Sequence, residues 1–120
     1  MTYIYSDEQF TAAMREAVAE RGADWRYPSD PAWRNGNNAC VYSLPTGEPA
    51  CLIGLALYKI DPKLMPGHED IGSANDVMRD LGFGGLVCSA ATSAQGVQDR
   101  GERWGDALDC YFHEMGISTE

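Results

Sequence analysis

A row of polar residues in the last third of the chain is the nearest it comes to a chemical site. Asp99, Glu102, Asp106, Asp109 and His113 recur three or four residues apart, which sets them on one face of a helix. Asp106, Asp109 and His113 have the donor types for a divalent cation. The same spacing describes a solvated helix face opposite an apolar stripe, with Arg100 and Arg103 close by to offset the charge. The solvated face is the expected reading, and no metal is assigned. The four cysteines, Cys40, Cys51, Cys88 and Cys110, lack the close pairs that zinc sites use, so buried reduced thiols are expected. Cys51 with His68 or His113 as its base would make a nucleophilic thiol. The stretch around it, Pro-Ala-Cys-Leu-Ile-Gly over 49–54, is apolar and lacks the positive charge that activates a thiolate. The loop residues His68, Glu69 and Asp70 have neither a phosphate-cradling glycine loop nor a nucleophile elbow beside them. No catalytic residue and no cofactor are therefore assigned.

Any of these groups needs a scaffold to hold it, and the composition bounds that scaffold. The chain has 120 residues, 44% of them hydrophobic, enough for one core, so residues 1–120 are read as a single globular domain. No apolar run is long enough to span a membrane, and the N-terminus lacks the pattern of a secretion signal, so a cytoplasmic location is expected. Nine basic against eighteen acidic side chains leave a formal charge of −9. That charge repels phosphate backbones and argues against direct nucleic-acid binding. It suits solubility, or steering toward a basic protein partner.

Local signals then divide the chain. Ser6 and Gln9 form a capping box, Tyr5 and Phe10 are placed as a hydrophobic staple, and Gly22 is a stop, which predicts a helix over Asp7–Arg21. Its stripe of Phe10, Met14 and Val18 should join Leu52, Leu55 and Trp104 in the core. Residues 23–38 read as a loop, broken by Pro28, Pro31 and Asn35-Gly36. Residues 40–44 and 48–52, joined by Pro45-Thr46-Gly47, read as a β-hairpin pairing Leu44 with Glu48 and Ser43 with Pro49. Strand parity then sends Cys40 and Cys51 to opposite faces of the ribbon. A short buried helix over 52–60 and another between Ser73 and Gly82 follow. Beyond Gly85, apolar or small residues from Val87 to Met115 keep a three-and-four spacing without a phase break, predicting one long helix over 86–115, with a kink near Gly96 or Gly101 as the alternative. The expected fold is α+β: a small antiparallel β-hairpin ribbon packed against several α-helices, with one long C-terminal helix.

Two sets of aromatic residues are candidates for an interaction surface. Trp25, Tyr27 and Trp33 lie in the 23–38 loop, where they either cap the core or face a partner. Trp104 and Phe112 lie on the long helix, whose overhang beyond a compact domain would suit a homodimer, with Gly101 and Gly105 allowing close approach. The segments Cys-Val-Tyr over 40–42, Gly-Glu-Pro-Ala-Cys-Leu-Ile-Gly-Leu-Ala-Leu over 47–57, and the run from Ala94 through Gln98, Gly101 and Trp104 to Leu108 resemble small uncharacterised proteins encoded by phages of actinobacteria. That resemblance implies a phage accessory protein working in the host cytoplasm. With the acidity and the lack of catalytic motifs, it makes a non-enzymatic protein that binds and modulates a host or phage protein the first functional expectation. A small metal- or thiol-dependent enzyme using the C-terminal helix is the second.

Overall fold

A computed structural model of the chain describes residues 5–28, 30, 33–34, 40–67 and 73–117. Five α-helices dominate it: α1 Asp7–Arg21, α2 Leu52–Ile60, α3 Ala74–Leu81, α4 Gly85–Asp99 and α5 Trp104–Met115. The α1 start is capped as expected, with the Gln9 N–H donating to Ser6 Oγ at 3.0 Å. The staple is indirect: Tyr5 stacks on Phe83 at 4.9 Å between ring centroids, and Phe10 meets the same ring edge-on at 5.4 Å. Ser73 caps α3 through the Asp76 N–H at 3.2 Å, and Gly82 ends it with φ 99°.

The expected α+β fold is overturned. Among the described residues there is no strand, only isolated bridges between Arg26 and Arg103, Arg34 and Cys40, and Ser43 and Pro49. The expected register survives in the Ser43–Pro49 bridge and in the Leu44 N–H to Glu48 carbonyl bond at 2.8 Å. It runs on to Ala50, whose N–H reaches the Tyr42 carbonyl at 3.0 Å, because Pro49 falls on a non-hydrogen-bonded pair where its missing N–H interrupts nothing. The ladder ends there: Cys51 donates next, to the Val41 carbonyl, where an antiparallel ladder uses alternate residues. The second arm then turns directly into α2, and Gly54 seats that helix so tightly on Tyr42 that a Cβ would lie 2.2 Å from the Tyr42 carbonyl oxygen.

The long C-terminal helix is also corrected. It breaks after Asp99, Gly101 takes φ 84°, and α5 begins at Trp104. The four residues from 100 to 103 amount to about one helical turn, so the apolar spacing passes through the break unchanged. With α4 and α5 packed against one another, the molecule measures 38 × 30 × 22 Å, and the overhang on which the dimer expectation rested is gone. Gly105 accommodates the molecule's own Ala23, whose Cβ and carbonyl oxygen would lie 3.0 Å from an added Cβ. The core gathers Phe10, Met14 and Val18 with Leu52, Leu55 and Trp104, as the stripes predict, and adds Ala90, Ala91 and Ala94 of α4 against α5. No described helix is long and apolar enough to cross a membrane.

Candidate functional site

The most polar part of the interior is built where α1 ends. Arg21, the last residue of α1, donates to the Pro49 carbonyl at 2.7 Å and to the Ala50 carbonyl. Its guanidinium lies over Trp25, Trp104 and Trp33, at 4.7, 4.9 and 5.7 Å from the ring centroids. Trp25 reaches this place because Gly22 turns the chain out of α1 and the carbonyls of Ala23 and Trp25 accept the first N–H groups of α5, Gly105 and Trp104, at 2.8 Å each. Those bonds do the work of a side-chain cap, which α5 lacks. Tyr27 meets Trp33 edge-on at 5.5 Å, donates its hydroxyl to the Trp33 carbonyl, and accepts the Val41 N–H at 3.2 Å. Burial pushes the Tyr27 phenol far above its usual range and lowers the Arg21 guanidinium from its own.

Trp25, Tyr27, Trp33 and Trp104, proposed from the sequence as display surface, thus form one cluster, with Trp104 and Tyr27 buried and Trp25 and Trp33 half-buried. Phe112 is buried too, under the Arg15 guanidinium at 4.4 Å from its ring centroid.

Two glutamines and two thiols complete this interior. Gln98 is fully buried; its Oε1 accepts the Leu52 N–H at 2.8 Å and the Trp104 indole N–H at 3.1 Å, and its Nε2 donates to Asp99 at 3.1 Å. It therefore joins the starts of α2 and α5. Gln95 donates to Cys40 Sγ at 3.0 Å and stands 4.0 Å from Cys51 Sγ. Cys51 caps α2, its sulfur accepting the Gly54 N–H at 3.3 Å. The neighbouring Cys51, with burial, drives the Cys40 thiol well above its ordinary range. The expectation of opposite faces fails because parity counting needs a regular ladder, and the chain leaves the ladder at Ala50.

The helix-face residues do not converge. Asp106 is held by two guanidinium nitrogens of Arg103, Nη2 at 3.0 Å and Nε at 3.2 Å, which lowers its carboxyl from the usual range. Asp109 and His113 are exposed on α5, and no trio of His, Cys, Asp or Glu among the described residues is placed to hold a metal. His68, Glu69 and Asp70 lie outside the described residues. Sequence reasoning missed Arg21, Gln95 and Gln98, although each carries a signal. Arg21 follows Ala17 by four residues, Gln95 follows Ala91 by four and Gln98 follows Ala94 by four, so each is a polar residue in an apolar register.

Beside the cluster, a cleft of about 480 Å³ opens between α1 and α2, where Glu20 and Glu48 stand with Arg21 and Lys59 around Leu55 and Tyr58. Tyr58, 40% exposed, and Leu86 are the large apolar side chains left open on the described surface. Several cationic side chains are turned to structural use: Lys59 pairs with Glu20, Arg100 with Glu102, and Arg103 with Asp24 and Asp106. Arg21 and Arg26 donate to backbone carbonyls, whereas Glu16, Glu48, Asp80, Asp109 and Glu114 are exposed and enter none of these ion pairs. The chain matches no protein-family model, no curated protein and no solved structure.

Proposed function

We propose that the protein is a small acidic binding module that engages and modulates a basic protein partner, a host or phage protein, through the cleft beside Tyr58. The observation that carries this reading is the division of charge: apart from the exposed Lys63 and Arg79, the cations are tied to carbonyls, rings and ion pairs within the fold, while the carboxylates of Glu16, Glu48, Asp80, Asp109 and Glu114 stand exposed outside those pairs. A surface arranged in that way attracts a basic partner over the Debye length and speeds encounter. Tyr58, flanked by Pro62 and Pro49, then supplies an aromatic contact of the kind that anchors interfaces.

Capture from a native lysate, with the intact chain and its Tyr58→Asp variant side by side, tests the reading. A retained protein with a basic surface that is released by raised salt and not retained by Tyr58→Asp supports it. Retention of an acidic protein, or equal retention by both chains, overturns it.

A further inference from the structure

The two sulfurs beside Gln95 are placed for a reaction that the binding reading leaves unused. We propose that Cys40 and Cys51 form a site of reversible oxidation, closing under a peroxide oxidant into an intramolecular disulfide that ties the arm before the 45–47 turn to the first turn of α2. One amide nitrogen, Gln95 Nε2, lies 3.0 Å from Cys40 Sγ and 4.0 Å from Cys51 Sγ, and the Cys51 N–H is bonded to the carbonyl of Val41, the chain neighbour of Cys40. The other two thiols have different surroundings: Cys88 donates to the Phe83 carbonyl at 3.7 Å, and Cys110 is half-buried on α5.

The chemistry balances. Peroxide oxidises one thiol to a sulfenic acid as its O–O bond breaks and one water leaves. The second sulfur displaces the sulfenic oxygen as another water, and the S–S bond forms with both thiol hydrogens carried off in the two waters. Access is the controlling step. Both thiols are buried, and the Cys40 thiol is held in its protonated form, so the closed structure reacts slowly. The segment carrying Cys40 is held by isolated bridges rather than a ladder, and such segments open locally at lower cost than the whole domain. Oxidation therefore proceeds from an opened loop, and the disulfide captures the reclosed one.

The test uses the intact chain, hydrogen peroxide as the only oxidant, and peptide mapping without reductant. A peptide joining Cys40 to Cys51, lighter by two hydrogen atoms and returned to two thiols by dithiothreitol, is the expected product. Cys51→Ser keeps a good helix cap and should give no intrachain link, leaving Cys40 open to alkylation or to trapping as sulfenic acid. The thermal midpoint of the oxidised chain should rise above that of the reduced chain, as closure of a short loop requires. Recovery of Cys40 and Cys51 as free thiols under conditions that oxidise Cys110, or a link between any other pair, overturns the proposal. The readout is thiol chemistry on the isolated chain, so its failure is distinct from failure of the binding reading.

Discussion

The packing of α1, α4 and α5 and the cluster around Arg21 are both interior, yet they are held in opposite ways. The first is apolar and regular: Phe10 of α1 meets Phe83 and Tyr111, Met14 and Ala17 are fully buried on the same helix, and α4, with buried Ala90, Ala91 and Ala94, packs on α5. Within it the buried Thr11 Oγ1 and Tyr111 hydroxyl hydrogen-bond between α1 and α5, at 2.8 Å. The second joins pieces that no helix continues: the 23–34 loop, the 40–51 turn and the starts of α2 and α5. Hydrogen bonds donated by Arg21 and Gln95 and accepted by Tyr27 and Gln98 hold them together. Among the described residues no buried side-chain nitrogen or oxygen lacks a partner. A region of the first kind tolerates exchange of one apolar group for another, because packing is roughly additive in area. A region of the second kind has no such tolerance, since removing one partner leaves the others buried and unpaired.

The largest effect is expected at the junction of the two. Gly54→Ala would place a Cβ 2.2 Å from the Tyr42 carbonyl oxygen, against backbone that cannot move without lifting α2 off the turn. A loss of about 4 kcal/mol, read as a fall in the urea midpoint, is expected, more than ordinary overpacking costs. A midpoint near that of the parent chain would mean that the 40–51 turn is loosely held, and the contrast between regions would fail.

Arg21→Met keeps the bulk of the side chain but strands the Pro49 and Ala50 carbonyls and removes the cation from three indole faces. About 3 kcal/mol should be lost. All three tryptophans of the chain surround this group, so their emission should shift while far-ultraviolet dichroism keeps its helical form. Gln98→Leu, near in volume, leaves the Leu52 N–H and the Trp104 indole N–H without their acceptor and should cost about 2 kcal/mol. Met14→Leu is the control in the apolar region: Met14 is fully buried, and the swap should cost less than about 1.5 kcal/mol. If Met14→Leu proved the costlier of the two, the polar centre would not be what organises the loops.

The same division explains what could be read in the residues beforehand. Starts and stops of α1 and α3 were legible because Ser6, Ser73, Gly22 and Gly82 act locally, through bonds three or four residues away. The α4–α5 break was legible only as the alternative of a kink near Gly96 or Gly101, since its residues amount to about one turn and leave the apolar phase intact. The hairpin was half legible. Its turn and first pairings are local, but the second arm ends because Cys51 caps α2, and cysteine is an uncommon cap. Parity counting beyond Ala50 then separated two sulfurs that the fold brings together. The loop aromatics were left between capping the core and facing a partner, and they cap it; the cation that draws them inward, Arg21, was not legible because it sits at a helix end where a basic residue is ordinary.

The smallest effect belongs to an element that neither region depends on. Ser6 accepts the Gln9 N–H at the start of α1, at an exposed position outside both the aromatic cluster and the packed helix faces. Ser6→Ala removes that bond while the first-turn carboxylates of Asp7 and Glu8 go on opposing the helix dipole. A cost of about 1 kcal/mol is the usual penalty for such a loss. It should appear as faster amide exchange in the first turn of α1 together with a small fall in the urea midpoint. The tryptophan emission should be unchanged, because Arg21 lies four helical turns away along α1. If the emission moved with Ser6→Ala, the end of α1 would be coupled to its beginning, and the two interiors would have to be treated as one cooperative unit joined through that helix.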